Sequence, residues 1–221
     1  MKTIKIFILL LIAGTGYAQN LNWANVKGNE RHFANATVGL DYGMVFGAGY
    51  GYKLKAKLPI VLGVDYSQPA GAKVFDDLKT KIGGQARLVN YHNFQFTARV
   101  QGIFRTYSNS MVRMVDFGSD LSAVIGYYKP RWFAAGEIGF DKAIVTHFKH
   151  TDVYREVYPK VVDGWYQPSI GGNLYYGVLV GMSFGRTDVY LNAGKILTEN
   201  LKDTPLFPFY GRAGITYKFG R

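Results

Sequence analysis

The chain has no cysteine among its 221 residues, which excludes a disulfide framework, a thiolate metal site and a lipid-modified N-terminal cysteine. Proline is scarce at 7 residues while glycine numbers 27, a balance that argues against a disordered chain. Acidic residues are few, 15 against 26 lysines and arginines, and the net charge is +11. A mean hydropathy of −0.04 excludes a bundle of membrane helices. The composition is uniform, so it predicts one domain.

Long apolar runs are also missing, except for a short one at the N-terminus. Lys2 and Lys5 precede the apolar stretch 6–13, and small residues lead to Ala18. This order predicts a secretory signal peptide over residues 1–18, cleaved after Ala18. The stretch is too short to cross a hydrocarbon core of ~30 Å as a helix. An uncleaved anchor is the alternative interpretation.

The rest of the chain alternates with a period of two. Between Asn93 and Tyr107, apolar side chains occupy every second position, and Arg99 and Arg105 lie between them. In a strand the two sets lie on opposite faces, and strands of about ten residues with one polar face are typical of transmembrane barrels. We predict an all-β fold, an antiparallel transmembrane up-and-down β-barrel. It has ten strands, or eight if the first hairpin is mispaired: 34–42, 46–54, 58–67, 79–91, 93–107, 113–128, 131–147, 173–185, 187–196 and 207–219.

The predicted connections alternate between short and long. The short ones are 55–57, 91–93, 129–130 and 186–187, and the long ones are 68–78, 108–112, 148–172 and 197–206. The tight turn 43–45 is the exception, because it falls among the long connections. Outer-membrane barrels have short periplasmic turns and long outer loops. The pattern therefore predicts two periplasmic termini, with residues 19–33 as a periplasmic N-terminal segment and residues 34–221 as the barrel.

Aromatic residues cluster near the predicted strand ends, where the girdles of such barrels contact lipid headgroups. They are Tyr42, Tyr66, Tyr107, Tyr127, Tyr128, Trp132, Trp165, Tyr166, Tyr217 and Phe219. With its signal peptide, its alternating strands and its last segment 217–221, the chain resembles the small outer-membrane β-barrel proteins of Gram-negative bacteria. The resemblance implies an integral outer-membrane location and recognition by the barrel assembly machinery during biogenesis. Members usually end on phenylalanine, whereas here Gly220 and Arg221 follow Phe219.

If the polar face points inward, the lumen contains equal numbers of cations and acids. The inward cations are Lys53, Arg87, Arg99, Arg105, Arg212 and Lys218, and the inward acids are Asp41, Asp65, Asp116, Asp120, Glu137 and Asp141. A ten-stranded barrel is narrow, and charges confined there are paired or hydrated. We therefore predict a plugged, salt-bridged lumen. The alternatives are a narrow pore or barrel subunit of an envelope transport or secretion machine, and a ligand cavity open on one side.

The excess positive charge falls outside the lumen. Asp188 is the only acid near the cations of the predicted inner rim, which are Lys55, Lys57, Lys129, Arg131, Arg186 and Arg221. Such a ring suits anionic lipid headgroups or a periplasmic partner. Nucleic acid is excluded as a partner because the protein is exported. The loop 148–172 carries Tyr154, Trp165 and Tyr166 as candidate binding residues for glycans or lipopolysaccharide.

The best candidate for chemistry is the stretch 147–152, which carries His147, His150 and Asp152. A histidine beside an acid could activate the hydroxyl of Ser67, Ser108 or Ser110, which would make a lipid-modifying enzyme. The same stretch could hold a divalent metal. No fixed serine motif accompanies it. The sequence therefore predicts a non-enzymatic barrel without cofactor or metal, whose outer loops interact with the cell surface or lipopolysaccharide.

Overall fold

The computed structural model describes residues 20–41, 43–71, 76–168, 171–201, 205 and 207–220. The predicted signal peptide, Tyr42 of the girdle and Arg221 of the rim lie outside these residues. The elements are a 3-10 helix Trp23–Asn25, β1 His32–Leu40, β2 Met44–Lys53, β3 Ile60–Pro69, β4 Asp77–Tyr91, β5 Phe94–Ser108, β6 Val112–Lys129, β7 Trp132–His150, α1 Asp152–Val157, β8 Gly164–Tyr166, β9 Gly172–Phe184, β10 Thr187–Thr198 and β11 Phe209–Phe219.

Ten of these strands form a closed antiparallel barrel. Each pairs with the next one along the chain, β7 pairs with both β6 and β9, and β1 closes the barrel against β11 from His32↔Phe219 to Leu40↔Gly211. The predicted ten-stranded up-and-down barrel is confirmed, and strand boundaries differ by at most three residues. The additional strand β8 was not predicted. It pairs with Thr146–Phe148 of β7, beyond the point where β9 ends.

The outer wall of the barrel is apolar. Large hydrophobic side chains stay exposed along the middle of the strands, including Ile82, Val100, Ile125, Val178 and Leu191. Exposed apolar area on this scale is stable only in an apolar solvent, because water would penalise it. Among the described residues, no helix is both long and apolar enough to cross a membrane.

The two ends of the barrel differ. One, here called the tight-turn end, carries the two-residue turns 92–93, 130–131 and 185–186, the connection 54–59 and the start of β1. His92 and Gly185 take left-handed backbone angles there, with φ of 53° and 60°, as short hairpins of right-twisted strands require. The other, the long-loop end, carries the connection 151–171, which contains α1 and β8.

Inside the barrel, large rings lie over glycines on the neighbouring strand. The directly opposed pairs are Phe133↔Gly181, Gly139↔Tyr175, Tyr190↔Gly214 and Gly194↔Tyr210. A ring shields the exposed backbone of a glycine, and the missing Cβ leaves space for the ring. The alternation of inward glycine and aromatic residues therefore fills a narrow lumen without widening the barrel.

Replacing Gly214 by alanine is expected to destabilise the barrel by about 1–3 kcal/mol, the usual effect of overpacking. A Cβ at this position would lie 2.3 Å from Cζ of Tyr190. The matched control is Gly136→Ala, whose Cβ would meet nothing closer than the Ile125 carbonyl oxygen at 4.0 Å. Urea unfolding followed by tryptophan fluorescence measures both variants. Equal stability of the two would contradict the packing described here.

Not every aromatic of the predicted girdle lies on the lipid-facing side of the wall. Tyr128 does not face the lipid, because it lies on the inward parity of β6, is almost fully buried and stacks on Phe133 with ring centroids 5.4 Å apart. Its neighbour Tyr127 points outward and packs against Phe94 and Trp132. The two adjacent tyrosines therefore lie on opposite sides of the wall, as strand alternation requires.

Candidate functional site

The lumen has three layers from the tight-turn end to the long-loop end. The first is an apolar layer with two clusters of buried side chains. One consists of Leu21, Trp23, Phe33 and Val61, and the other of Val124, Tyr128, Phe133, Ala135, Leu179 and Tyr190. Inward apolar side chains at this end were not predicted, because only the polar positions of each strand were assigned to the interior. They pack around a segment of chain that enters the barrel.

That segment is Asn20–Val26, part of the stretch 19–33 that was predicted to be periplasmic. Asn20, Leu21, Asn22 and Trp23 are all buried. The side-chain amide of Asn22 donates to the Lys129 carbonyl at 2.8 Å and to Ser183 Oγ at 2.9 Å. These contacts join the segment to β6 and β9, so it lies inside the tight-turn end of the lumen.

A fully buried ion pair holds the same segment. Lys218 Nζ lies 2.5 Å from Asp188 Oδ1, and both side chains are 0% exposed. The other carboxylate oxygen of Asp188 accepts the backbone N–H of Asn22 at 3.1 Å, and Ser183 Oγ donates to Oδ1 at 2.6 Å. Asp188 was predicted at the solvated rim. It lies inside instead, because its position on β10 has the inward parity.

The second layer is an ion-pair layer across the middle of the barrel. Arg99 contacts Glu137 Oε2 at 3.3 Å, Gln85 Oε1 at 3.2 Å and Asn20 Oδ1 at 2.8 Å. Asn192 donates to the same Glu137 oxygen. Every group of this network is buried, and pairing offsets the desolvation that isolated charges would suffer.

A second buried group completes the ion-pair layer. Lys81 pairs with Asp120, which also accepts a hydrogen bond from Tyr175 Oη at 2.8 Å. Beside it, Gln101 donates to Asp65 Oδ2 at 2.8 Å. The cavity among these side chains is small, about 30 Å³ against about 340 Å³ for the cavity at the long-loop end. The layer therefore fills the middle of the lumen with paired charges.

The third layer is an open cup at the long-loop end. Its cavity of about 340 Å³ is lined by Asp41, Lys79, Lys81, Arg105, Asp141, Asn173, Tyr175, Ile196, Pro205, Phe207, Tyr210 and Arg212. Arg212 pairs with Asp41 at 2.7 Å, and Arg105 binds both oxygens of Asp77 at 2.9 and 2.6 Å. Among the described residues, the buried hydroxyl of Tyr210 finds no hydrogen-bond partner. The cup thus combines mixed charge with aromatic rings.

The twelve side chains predicted for the lumen lie on inward positions, but they do not form one network. Arg99, Asp120 and Glu137 belong to the ion-pair layer with Asp65 close by, while Lys218 lies at the tight-turn end. Asp41, Arg105, Asp141, Arg212 and Asp116 line the cup or its side cavity. Lys53 donates to the Lys27 carbonyl, and Arg87 lies over the Trp23 ring at 5.7 Å.

Sequence reasoning missed two inward lysines and several acids. Lys79 pairs with Asp141 at 3.3 Å, and Lys81 pairs with Asp120. Both share the parity of Arg87 on β4, so alternation alone would have identified them. Asp77 shares the parity of Lys79 on β4, and Asp188 has the inward parity of β10, so alternation indicates both. Glu30 lies outside the strands, where alternation gives no signal.

The candidate binding residues of the long loop do not line the cup. Trp165 packs against His147 and Phe117 on the outer wall, with ring centroids at 4.9 and 6.0 Å. Tyr166 alternates to the other face of β8 and contacts Phe148. Tyr154 lies in α1 and stacks on His150 at 4.9 Å. Phe148 and His150, whose ring centroids are 6.4 Å apart, connect Tyr166 with Tyr154, whereas Trp165 lies apart from them on the outer wall.

In the predicted chemical site, His150 is held by Asp163 of the long loop. The backbone N–H and the Nδ1 of His150 both lie 2.9 Å from Asp163 Oδ1, and these hydrogen bonds lower the pKa of the Asp163 carboxyl. Ser67 is buried in the lumen, far from the loop. In the part of the chain that the structure describes, no serine hydroxyl bonds to His147 or His150, and no three His, Asp or Glu side chains group as a metal site would need.

A closed antiparallel barrel with an apolar wall and a charged interior defines the class of the protein. It has the fold of a small outer-membrane β-barrel, as its sequence indicated. No family model matches the sequence, and no curated protein is similar to it.

Several solved structures are similar in fold. The KdgM porin in complex with disordered oligogalacturonate is 9% identical, with 85% of this chain and 99% of that chain covered and a TM-score of 0.43. A further structure of the KdgM porin is 10% identical, with 85% of this chain and 99% of that chain covered and a TM-score of 0.41. The outer-membrane protease OmpT from Escherichia coli is 11% identical, with 87% of this chain and 94% of that chain covered and a TM-score of 0.46. At these identities the likeness concerns the fold alone.

Proposed function

We propose that the protein is an integral barrel of a Gram-negative outer membrane, non-enzymatic and closed to ion flow, with a cup open to the cell exterior. The burial of Asn20–Trp23 inside the tight-turn end is the observation that carries this proposal. The ion-pair layer above it blocks the lumen again. A solute entering from the long-loop end would reach the cup and stop at Lys81 and Arg99.

The orientation follows from the connections. Barrels of this class have short periplasmic turns and long outer loops, so the tight-turn end faces the periplasm and the cup faces outward. The exposed hydrophobic belt supplies the contact with lipid. Insertion by the barrel assembly machinery, which the resemblance implies, is part of the same proposal.

Single-channel recording of the purified, refolded barrel in a planar bilayer tests the closed lumen. The wild type is expected to give no steady conductance in 1 M potassium chloride. A variant that lacks residues 20–26 and carries Arg99→Ser, Glu137→Ser, Lys81→Ser and Asp120→Ser removes the segment and both ion pairs of the ion-pair layer, and it is expected to conduct. A shift between boiled and unboiled samples on a detergent gel verifies that each barrel is folded.

Two results would refute the proposal. A steady, ion-selective conductance of the wild type would make the protein a pore, or the barrel of a transport machine, and the cup would be its vestibule. A folded but silent opened variant would show that neither layer is the barrier. Gly136→Ala, which changes only the outer wall, is the control for effects of substitution alone.

The outer loops are proposed to interact with the cell surface or with lipopolysaccharide. Support comes from Trp165, which lies exposed on the outer wall beside the apolar Phe117. This position suits an aromatic ring that contacts lipid at the membrane boundary. The geometry gives less support to a lipid-modifying enzyme at the rim, because His150 is hydrogen-bonded to Asp163 and its ring stacks on Tyr154.

A further inference from the structure

The tight-turn end exposes charge of one sign. Its exposed charged residues, among those described, are all cations: Lys27, Lys55, Lys57, Lys129, Arg131 and Arg186. Within the described residues, the acids at this end are Glu30 and Asp188, both buried. Glu30 lies 3.7 Å from Arg186, and Asp188 pairs with Lys218. Neither acid offers a negative surface to the solvent, so the six cations form a positive rim.

The opposite end differs in charge. The exposed acids Asp152 and Glu156 lie on α1, where exposed cations such as Lys149 and Lys160 accompany them. Mixed charge is the ordinary condition of a solvated surface. The single sign of the rim therefore needs a separate explanation, because uncompensated cations repel one another.

The rim follows the circumference and borders the apolar belt. Its residues come from the N-terminal segment and from three of the four turns at this end, β2–β3, β6–β7 and β9–β10, while the turn β4–β5 carries no lysine or arginine. Lys129 Nζ lies 5.7 Å from the ring centroid of Tyr127, which faces outward beside Trp132. An aromatic ring at the belt edge with a cation over it marks the level of the headgroups.

We propose that this rim binds the phosphate groups of anionic phospholipids in the leaflet that surrounds the tight-turn end. Lipids meet a barrel along its whole perimeter, whereas a protein partner would meet a local patch, and the cations are spread along the perimeter. Lysine and arginine close to an anionic surface gain free energy from it, and salt screens the effect. The inference rests on the proposed membrane location.

Lipid selectivity measured by electron spin resonance tests the rim. The barrel is reconstituted in phosphatidylcholine vesicles that contain spin-labelled phosphatidylglycerol or spin-labelled phosphatidylcholine, and the motionally restricted fraction gives the relative association constant. The rim variant carries Lys55→Gln, Lys129→Gln and Arg131→Gln. The matched control removes three exposed cations from the long-loop end, with Arg113→Gln, Lys149→Gln and Lys160→Gln.

We expect the wild type to prefer phosphatidylglycerol by about fivefold or more, the ratio that one cation near an anionic surface provides. The preference should fall towards one in the rim variant and persist in the control. No preference in the wild type, or an equal loss in both variants, would overturn the inference. So would binding of poly-glutamate to the rim without lipid selectivity, which would assign the rim to an acidic protein. A barrel that fails to insert in phosphatidylcholine alone would instead refute the proposed membrane location.

Discussion

Lys218→Met is expected to lower the free energy of unfolding by about 3–5 kcal/mol, since it leaves the carboxylate of Asp188 buried without its partner. Both side chains are 0% exposed, and the separation of Nζ and Oδ1 is 2.5 Å. The loss should spread to the N-terminal segment, because Asp188 also accepts the Asn22 backbone N–H. Urea unfolding in detergent, followed by the fluorescence of buried Trp23, measures the effect.

A double variant separates the unpaired charge from lost packing. Lys218→Met combined with Asp188→Asn removes both charges, so it should be more stable than Lys218→Met alone. Breaking one partner of a buried pair is more damaging than replacing both. If the single and double variants unfold at the same urea concentration, the pair contributes little and the attribution is wrong.

Val178→Arg is expected to destabilise the membrane-inserted barrel by about 2–4 kcal/mol, the cost of a cation at the middle of the lipid-facing wall. Val178 lies at the centre of β9 and is 62% exposed to the surroundings of the barrel. Unfolding in lipid vesicles is the appropriate measurement, because a detergent micelle does not impose an apolar layer of fixed thickness on the barrel wall.

The depth control for this variant lies on the same strand and face. Phe184→Arg puts the same cation at the tight-turn end of β9, where the expected loss is only about 0–1 kcal/mol. The contrast between the two positions tests the membrane boundary as well as the face. A neutral Val178→Arg, or equal losses at both sites, would contradict the belt described here.

The sequence predicted the barrel well because alternation is a local signal. Each strand reports its own two faces, and Arg99 and Glu137 were assigned to the lumen without any knowledge of their partners. The same rule would have placed Lys81 and Tyr128 inside if it had been applied to every residue. The alternation therefore contained the information needed to place both residues.

Other features were beyond a local signal. Residues 20–26 carry no period of two or of 3.6, and they are buried through hydrogen bonds to residues more than a hundred positions away, such as Asn22 to Ser183. The pairing of Lys218 with Asp188 and the division of the lumen into layers depend on register across the closed barrel. Strand β8 has three residues, too few for alternation to identify.

The contacts of the N-terminal segment also constrain the order of assembly. Asn20 and Asn22 bond to Thr216, Ser183 and Asp188, which follow them in the sequence by 196, 161 and 166 residues, and β1 pairs with β11. The segment therefore gains these partners only when β9, β10 and β11 are in place, and contacts between residues so distant in sequence form slowly. We therefore expect the closing of the wall and the filling of the lumen to be a single late event of folding.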